Sequence, residues 1–239
     1  MQVDATQLPA RLQRSVQEYV ALLQALAGER LLAVVLFGEA AGSGDRAPDS
    51  VQSVVVLDRL DLELVRALGA QGAALGKMGI QAPLLMTPSY IAGSLDVFPI
   101  ELLDIQQRHL NLLGEDYFAP LEFRKPDVRL QLERELKRES LQIRQGILSA
   151  AGRESVLVDL YWAAAEQTTL LLRAVLWLHD KPVPEAPAVI VRSATEVCGV
   201  DMSGLDPAVD GARDIDFSAL QSLYDSVTRL ASYIDAIPV

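Results

Sequence analysis

Four places in the sequence combine residue types that do chemistry in proteins. The first runs from Phe37 to Ser53, where Gly38-Glu39, Gly42-Ser43-Gly44 and Pro48-Asp49-Ser50 form a turn-rich loop between two apolar runs. Glycine supplies positive φ there, and the successive N–H groups of Gly42-Ser43-Gly44 are a candidate anion nest. The second is Val97 to Ile105, with Glu101 and Asp104 in apolar surroundings. A carboxylate so placed is either a functional acid or the buried partner of an arginine. The third is Glu166, followed by Gln167, Thr168 and Thr169, a polar belt inside an apolar stretch. Its own residues read as a belt that bonds internally or to Arg173. The fourth is the pair Arg173 and His179. On a straight helix their six-residue separation is about 600°, so they face different sides, Arg173 reading as a salt-bridge partner in a bundle and His179 as a C-terminal cap acting on the helix dipole. His109, beside Arg108, is the other histidine, and with one cysteine, Cys198, a transition-metal site of the usual kind is not expected. The sequence contains no Gly-x-Gly-x-x-Gly, no P-loop lysine and no Ser-His-Asp arrangement.

The elements that must position these residues follow from periodicity. Leu8, Leu12, Val16, Tyr19, Leu22, Leu23 and Leu26 recur at helical spacing up to Gly28, which predicts a helix over residues 6–28. Leu31–Phe37 and Val51–Leu57 are unbroken apolar runs and read as strands buried on both faces. Leu60–Gly76 has helical spacing weakened by Gly69, Gly72 and Gly76. Gln81–Met86 reads as a third strand, after which Thr87 caps a short helix with Pro88 at its first position. Val97–Ile105 reads as a further strand, with Glu101 and Asp104 on opposite faces. Tyr117–Pro126 is a linker. Beyond it, helices are predicted over 127–151, 155–178, 188–197 and 218–237, with the most apolar, 155–178, at the centre of a bundle. The fold class expected is α+β: a mixed sheet with flanking helices over residues 1–122, then an all-helical bundle over residues 123–239.

Composition bounds the function. Half of the side chains are hydrophobic and the mean hydropathy is +0.21, which excludes a disordered chain. A net charge of −11 argues against nucleic acid or an anionic membrane as a general partner. One cysteine excludes an internal disulfide framework. Asp4, Arg11 and Arg14 interrupt any N-terminal apolar leader, and no run is long enough to span a membrane, so a cytoplasmic protein is expected. A homodimer is expected if neighbouring helices do not cover 155–178.

The order of strand, loop and strand over residues 31–58 resembles the nucleotidyltransferase superfamily, whose pattern is Phe-Gly-Ser, a loop of about ten residues, then Ser-Asp-x-Asp entering a hydrophobic strand. The resemblance implies that fold, with Gly38, Glu39, Asp49 and Ser50 at the nucleotide-binding positions. Val51 and Ser53 then occupy the positions of the two Mg²⁺-binding aspartates, and Glu39 replaces the serine. Glu101 matches the third carboxylate, followed by Leu112-Leu113-Gly114-Glu115-Asp116, which matches the family's Leu-x-Gly-x-Asp segment. Glu166 falls where aminoglycoside-type members carry a helical general base. Valine does not bind Mg²⁺ and a serine hydroxyl poorly replaces a carboxylate, so the resemblance supports the fold and argues against the reaction. The expectation is a degenerate nucleotidyltransferase-like protein acting by binding or assembly, with a nucleotide or another protein as its partner and no resident metal. One alternative is an active enzyme moving a nucleoside monophosphate to a small molecule or protein, with Mg²⁺ held by Asp49, Glu39 or Glu101. Another is an RNA-acting helical domain, similar to HEPN ribonucleases, built on Arg173 and His179.

Overall fold

The computed structural model describes residues 8, 10–41, 50–212 and 214–238. The chain forms two compact units, Met1–Leu95 with Glu101–Glu122, and Asp96–Ile100 with Phe123–Val239.

In the first unit, α1 (Ala10–Ala27) leads into β1 (Leu31–Phe37), which turns back through a 3₁₀ turn at Gly38–Ala41 to β2 (Gln52–Leu57). Two short helices follow, α2 (Leu62–Gly69) and α3 (Gly72–Lys77), then β3 (Leu84–Met86), α4 (Pro88–Ala92), α5 (Pro99–Gln107) and β4 (His109–Gly114). The strand order is β3-β2-β1-β4, with β1 antiparallel to β2 and β4, and β2 parallel to β3. The sheet is therefore mixed, with Val35 opposite Val54 and Leu36 opposite Ser53. Both faces of β1 and β2 are buried, as unbroken apolar strands require. One face, through Val34, Leu36, Val51 and Val55, packs in a common core with Val16, Tyr19, Val20 and Leu23 of α1.

Caps set the local boundaries. Asp61 accepts a hydrogen bond from the Leu64 amide at 2.7 Å and pairs with Arg30, fixing the start of α2. Thr87 accepts from the Tyr90 amide at 3.1 Å with Pro88 at the first position of α4. The Leu60–Gly76 segment breaks into α2 and α3 at Ala70 and Gln71.

The segment expected as a strand at Val97–Ile105 is instead α5. Pro99 sits at its first position, and Asp104 pairs with Arg108 one turn on at 2.7 Å, a contact that helical spacing makes possible. The strand that joins the sheet comes later, as β4. It approaches β1 so closely at Gly114 that a Cβ there would lie 1.8 Å from the Leu32 carbonyl oxygen, and its φ of +80° also demands glycine.

The second unit holds α6 (Lys125–Ala150), α7 (Glu154–Leu178), α8 (Pro187–Cys198), α9 (Asp206–Val209) and α10 (Phe217–Asp235). Val128, Leu132, Leu136 and Ile143 of α6 share one core with Leu171, Leu172 and Val175 of α7, Ile190 of α8, and Leu220, Leu223, Val227, Leu230 and Ile234 of α10. Ala151 and Gly152 turn the chain at positive φ between α6 and α7. Gly146 lets Leu160 approach, since a Cβ would meet that side chain at 2.6 Å. The buried Tyr161 hydroxyl donates to the Gly204 carbonyl at 3.0 Å and accepts from the Ala208 amide at 3.1 Å, tying α7 to the 200–209 segment. No described helix is long and apolar enough to cross a membrane.

Candidate functional site

Of the nucleotide-binding and metal positions implied by the sequence, Gly38, Ser50, Val51 and Ser53 lie at one end of β1 and β2. Phe37 pairs with Gln52 and with His109, so Gly38 leaves the sheet between the start of β2 and the start of β4. Gly38 has φ of +73°, and a Cβ there would meet the Gln52 side-chain oxygen at 2.8 Å. Its N–H donates to the Arg108 carbonyl at 3.0 Å. The side chain of Glu39, all of Asp49 and the Gly42-Ser43-Gly44 nest lie outside the described residues.

Across that loop, the Ser50 hydroxyl accepts from the Gln81 amide group at 2.7 Å. The Val51 amide donates to the Gly79 carbonyl at 2.7 Å, and the Gln81 amide donates to the Val51 carbonyl at 3.0 Å. Val51 is 0% exposed and Ser53 1% exposed. Ser53 Oγ and Tyr19 Oη share a buried hydrogen bond of 2.9 Å, and burial pushes the Tyr19 phenol up to about 12 although the Ser53 hydroxyl works the other way. The side that would present two aspartates therefore faces α1. Magnesium needs several oxygen ligands, carboxylates among them, in near-octahedral array with water and phosphate. An isopropyl group and a hydroxyl already bonded to a buried phenol do not fit that ion. Among the described residues no three His, Cys, Asp or Glu side chains form a metal cluster.

Glu101 is not on a strand. It lies exposed in the first turn of α5, where an acidic side chain suits the helix N-terminus. Glu101 and Asp104 are three residues apart on a helix, hence about 60° apart rather than on opposite faces. Helix α5 does not bring Glu101 onto a strand beside β2.

His109, paired with Phe37 at this end of the sheet, is joined to Asp116, a contact that no sequence pattern indicated. His109 Nδ1 lies 2.9 Å from the Gln106 carbonyl oxygen and Nε2 lies 2.9 Å from Asp116 Oδ2. Asp116 also accepts from the Phe118 and Ala119 amides. Burial raises the Asp116 carboxyl, but the His109 and amide hydrogen bonds together outweigh it and hold it below its ordinary value. The Leu-x-Gly-x-Asp segment thus supplies an anchor for His109 and for the turn after β4. Tyr19 went unrecognised because its spacing reads as one more apolar position of α1.

In the second unit, Glu166 is exposed on α7. Thr168 and Thr169 bond back to the Ala164 and Ala165 carbonyls, so those two members of the polar belt are satisfied within their own helix. Arg173 is buried and donates to the Pro184 carbonyl at 3.0 Å, toward the 181–187 loop. His179 reaches the Tyr233 hydroxyl of α10 at 3.1 Å. Burial, followed by Lys125, holds the His179 imidazole below its ordinary value, so it ends α7 without the charge that a dipole role assumes. The two side chains bond in different directions, as their helical separation requires.

A four-stranded mixed sheet with helices on it, preceding a helical region, defines a nucleotidyltransferase-like fold. The chain is similar to the spectinomycin adenyltransferase AAD(9) from Enterococcus faecialis, solved with ATP and spectinomycin: the TM-score is 0.60 at 10% identity, over 93% of this chain and 98% of that one. It is also matched to a nucleotidyltransferase-like protein from Exiguobacterium sibiricum 255-15, with a TM-score of 0.34 at 11% identity, over 93% of this chain and 75% of that one. No protein-family profile and no curated protein sequence matches the chain. Likeness at 10% identity defines the fold and leaves the chemistry to the residues.

Proposed function

We propose that this chain is a nucleotidyltransferase-like protein that has lost nucleotide transfer and acts by binding or assembly. The observation that carries the reading is the burial of Val51 and Ser53 against α1, with Ser53 bonded to Tyr19. These are the two positions that the family pattern reserves for Mg²⁺-binding aspartates. Glu101, exposed on α5, does not complete a carboxylate set with them. Among the described residues no carboxylate pair is left to hold Mg²⁺ at this end of the sheet, and without the metal the triphosphate charge and the in-line displacement lose their electrostatic support.

The test uses the ligands named for AAD(9). Calorimetric titration with ATP is run with and without Mg²⁺, and labelled ATP is incubated with the protein alone and with spectinomycin. The expected result is no Mg²⁺-dependent heat and no label on spectinomycin or on the protein. Mg²⁺-dependent ATP binding, or label transferred to either acceptor, overturns the reading.

A further inference from the structure

The outer side of α6 carries a second line of side chains, separate from the buried line through Val128, Leu132, Leu136 and Ile143. Leu130, Leu141 and Leu148 are 41%, 50% and 73% exposed. Steps of eleven and seven residues bring all three within about 20° of one another and spread them over roughly 27 Å of helix. Arg134, Lys137 and Arg144, also exposed, fill the positions between them. Together residues 130, 134, 137, 141, 144 and 148 follow the alternating four-and-three spacing of a helix-packing seam.

Its charges are of one sign. Lys137 is paired with Glu133 at 2.6 Å and Asp235 at 3.5 Å. Arg134 and Arg144 have no ion pair among the described residues, and Arg144 Nε donates only to the Ser140 carbonyl at 3.2 Å. None of the four acidic residues of α6 (Asp127, Glu133, Glu135 and Glu139) is among its exposed positions. A single exposed leucine is ordinary, whereas three in register with arginines between them make a face that a complementary helix fits.

We infer that this face docks an acidic amphipathic helix of a partner protein, with the partner's apolar side on Leu130, Leu141 and Leu148 and its carboxylates on Arg134 and Arg144. Charge decides among occupants. A second copy packed antiparallel through the same face sets Arg134 against Arg144, and a parallel copy sets each arginine against itself. Both arrangements juxtapose like charges. An anionic membrane would have to hold a chain whose net charge is −11. The inference names a partner class for the binding reading above but rests on α6 alone; a chain that still bound Mg²⁺–ATP would carry the same face, so the two tests fail separately.

The experiment uses the full chain and two labelled helical peptides with leucines at the seam spacing, one flanked by glutamates and one by lysines. Fluorescence anisotropy at low and physiological salt reads binding. The expected result is preference for the glutamate peptide by at least about tenfold, weakening with salt, and a loss of at least about tenfold in Leu141→Glu/Leu148→Glu. Arg134→Glu/Arg144→Glu reverses the preference. These positions are exposed, and circular dichroism confirms that each variant is folded. Equal binding of the two peptides, no binding of either, or indifference to both double variants overturns the inference. So does capture of the wild type, lost in Leu141→Glu/Leu148→Glu, by vesicles with about one third anionic lipid, which assigns the face to a membrane surface. Self-association in light scattering that the same variant abolishes assigns it to a second copy and also overturns it.

Discussion

Replacing Val51 by aspartate puts a carboxylate where the side chain is covered completely by the α1–sheet core. Two costs add. The lost burial of the isopropyl group is worth about 2 kcal/mol. The described residues of that hydrophobic core, Tyr19 among them, supply no cation, so the carboxylate escapes ionisation by taking up a proton. Holding an aspartic acid neutral at pH 7, against an ordinary value near 4, costs roughly 4 kcal/mol. The sum, about 6 kcal/mol, is comparable with the whole stability of many domains. The sign follows from a folded-state value raised above the unfolded one: the second cost is absent below about pH 4 and grows as pH rises toward the folded value. Val51→Asn carries a polar group of the same size without that titration. Urea unfolding of both variants at pH 5 and pH 7 measures the difference, and the Asp–Asn gap is expected to widen by about 3 kcal/mol between the two. Millimolar Mg²⁺ with ATP is expected to recover none of it. If Val51→Asp lies within about 1 kcal/mol of Val51→Asn at pH 7, or if Mg²⁺–ATP stabilises it, the carboxylate reaches solvent and the position is an open ligand site, contrary to the argument.

Two further predictions concern stability. Glu139 of α6 is 6% exposed, and burial, with Glu135 adding and Arg138 opposing, pushes its carboxyl up from 4.5 to about 7. The contribution of Glu139 to stability is therefore fully present below about pH 4.5 and is lost as pH rises through about 7. Glu139→Gln is expected to exceed the wild type by a few kcal/mol at pH 8 and to match it at pH 4 in urea unfolding, and parallel pH profiles would refute the assignment. Gly114→Ala is expected to cost more than about 3 kcal/mol in thermal unfolding, because its Cβ would collide with the backbone of β1 and the φ is positive. Wild-type stability there would mean that β4 does not pair with β1 as described.

The central strands and long helices were legible because each carries one dominant period. β1 and β2 are too short and too uniformly apolar for surface helices, and α6 repeats its apolar positions over many turns before a positive-φ stop at Ala151 and Gly152. The failure at α5 has an equally physical cause. Ile100, Leu102, Leu103 and Ile105 are all buried, so the segment shows neither a clean stripe nor an alternation, and nine residues are too few for length to decide. The informative marks were Pro99 at a helix start and the Asp104–Arg108 spacing of four. The misreading carried Glu101 with it onto a strand. At the candidate site, the sequence pointed to Val51 and Ser53 as the altered positions, and their environment could not be read from it. A serine in a strand has no sequence mark that tells an open hydroxyl from one sealed by a tyrosine 34 residues earlier.

That sealing bears on how such a site changes. Two carboxylates side by side in a strand repel each other and are costly to desolvate, so an active metal site is held at some expense to the stability of its scaffold. In this chain Val51 lies in the hydrophobic core and the Ser53 hydroxyl is satisfied on Tyr19, so neither position carries that expense. The two positions differ in what a carboxylate would meet. Ser53→Asp retains the Tyr19 hydroxyl as a donor, whereas Val51 packs within the hydrophobic core, so the serine position is expected to tolerate a carboxylate better than the valine position.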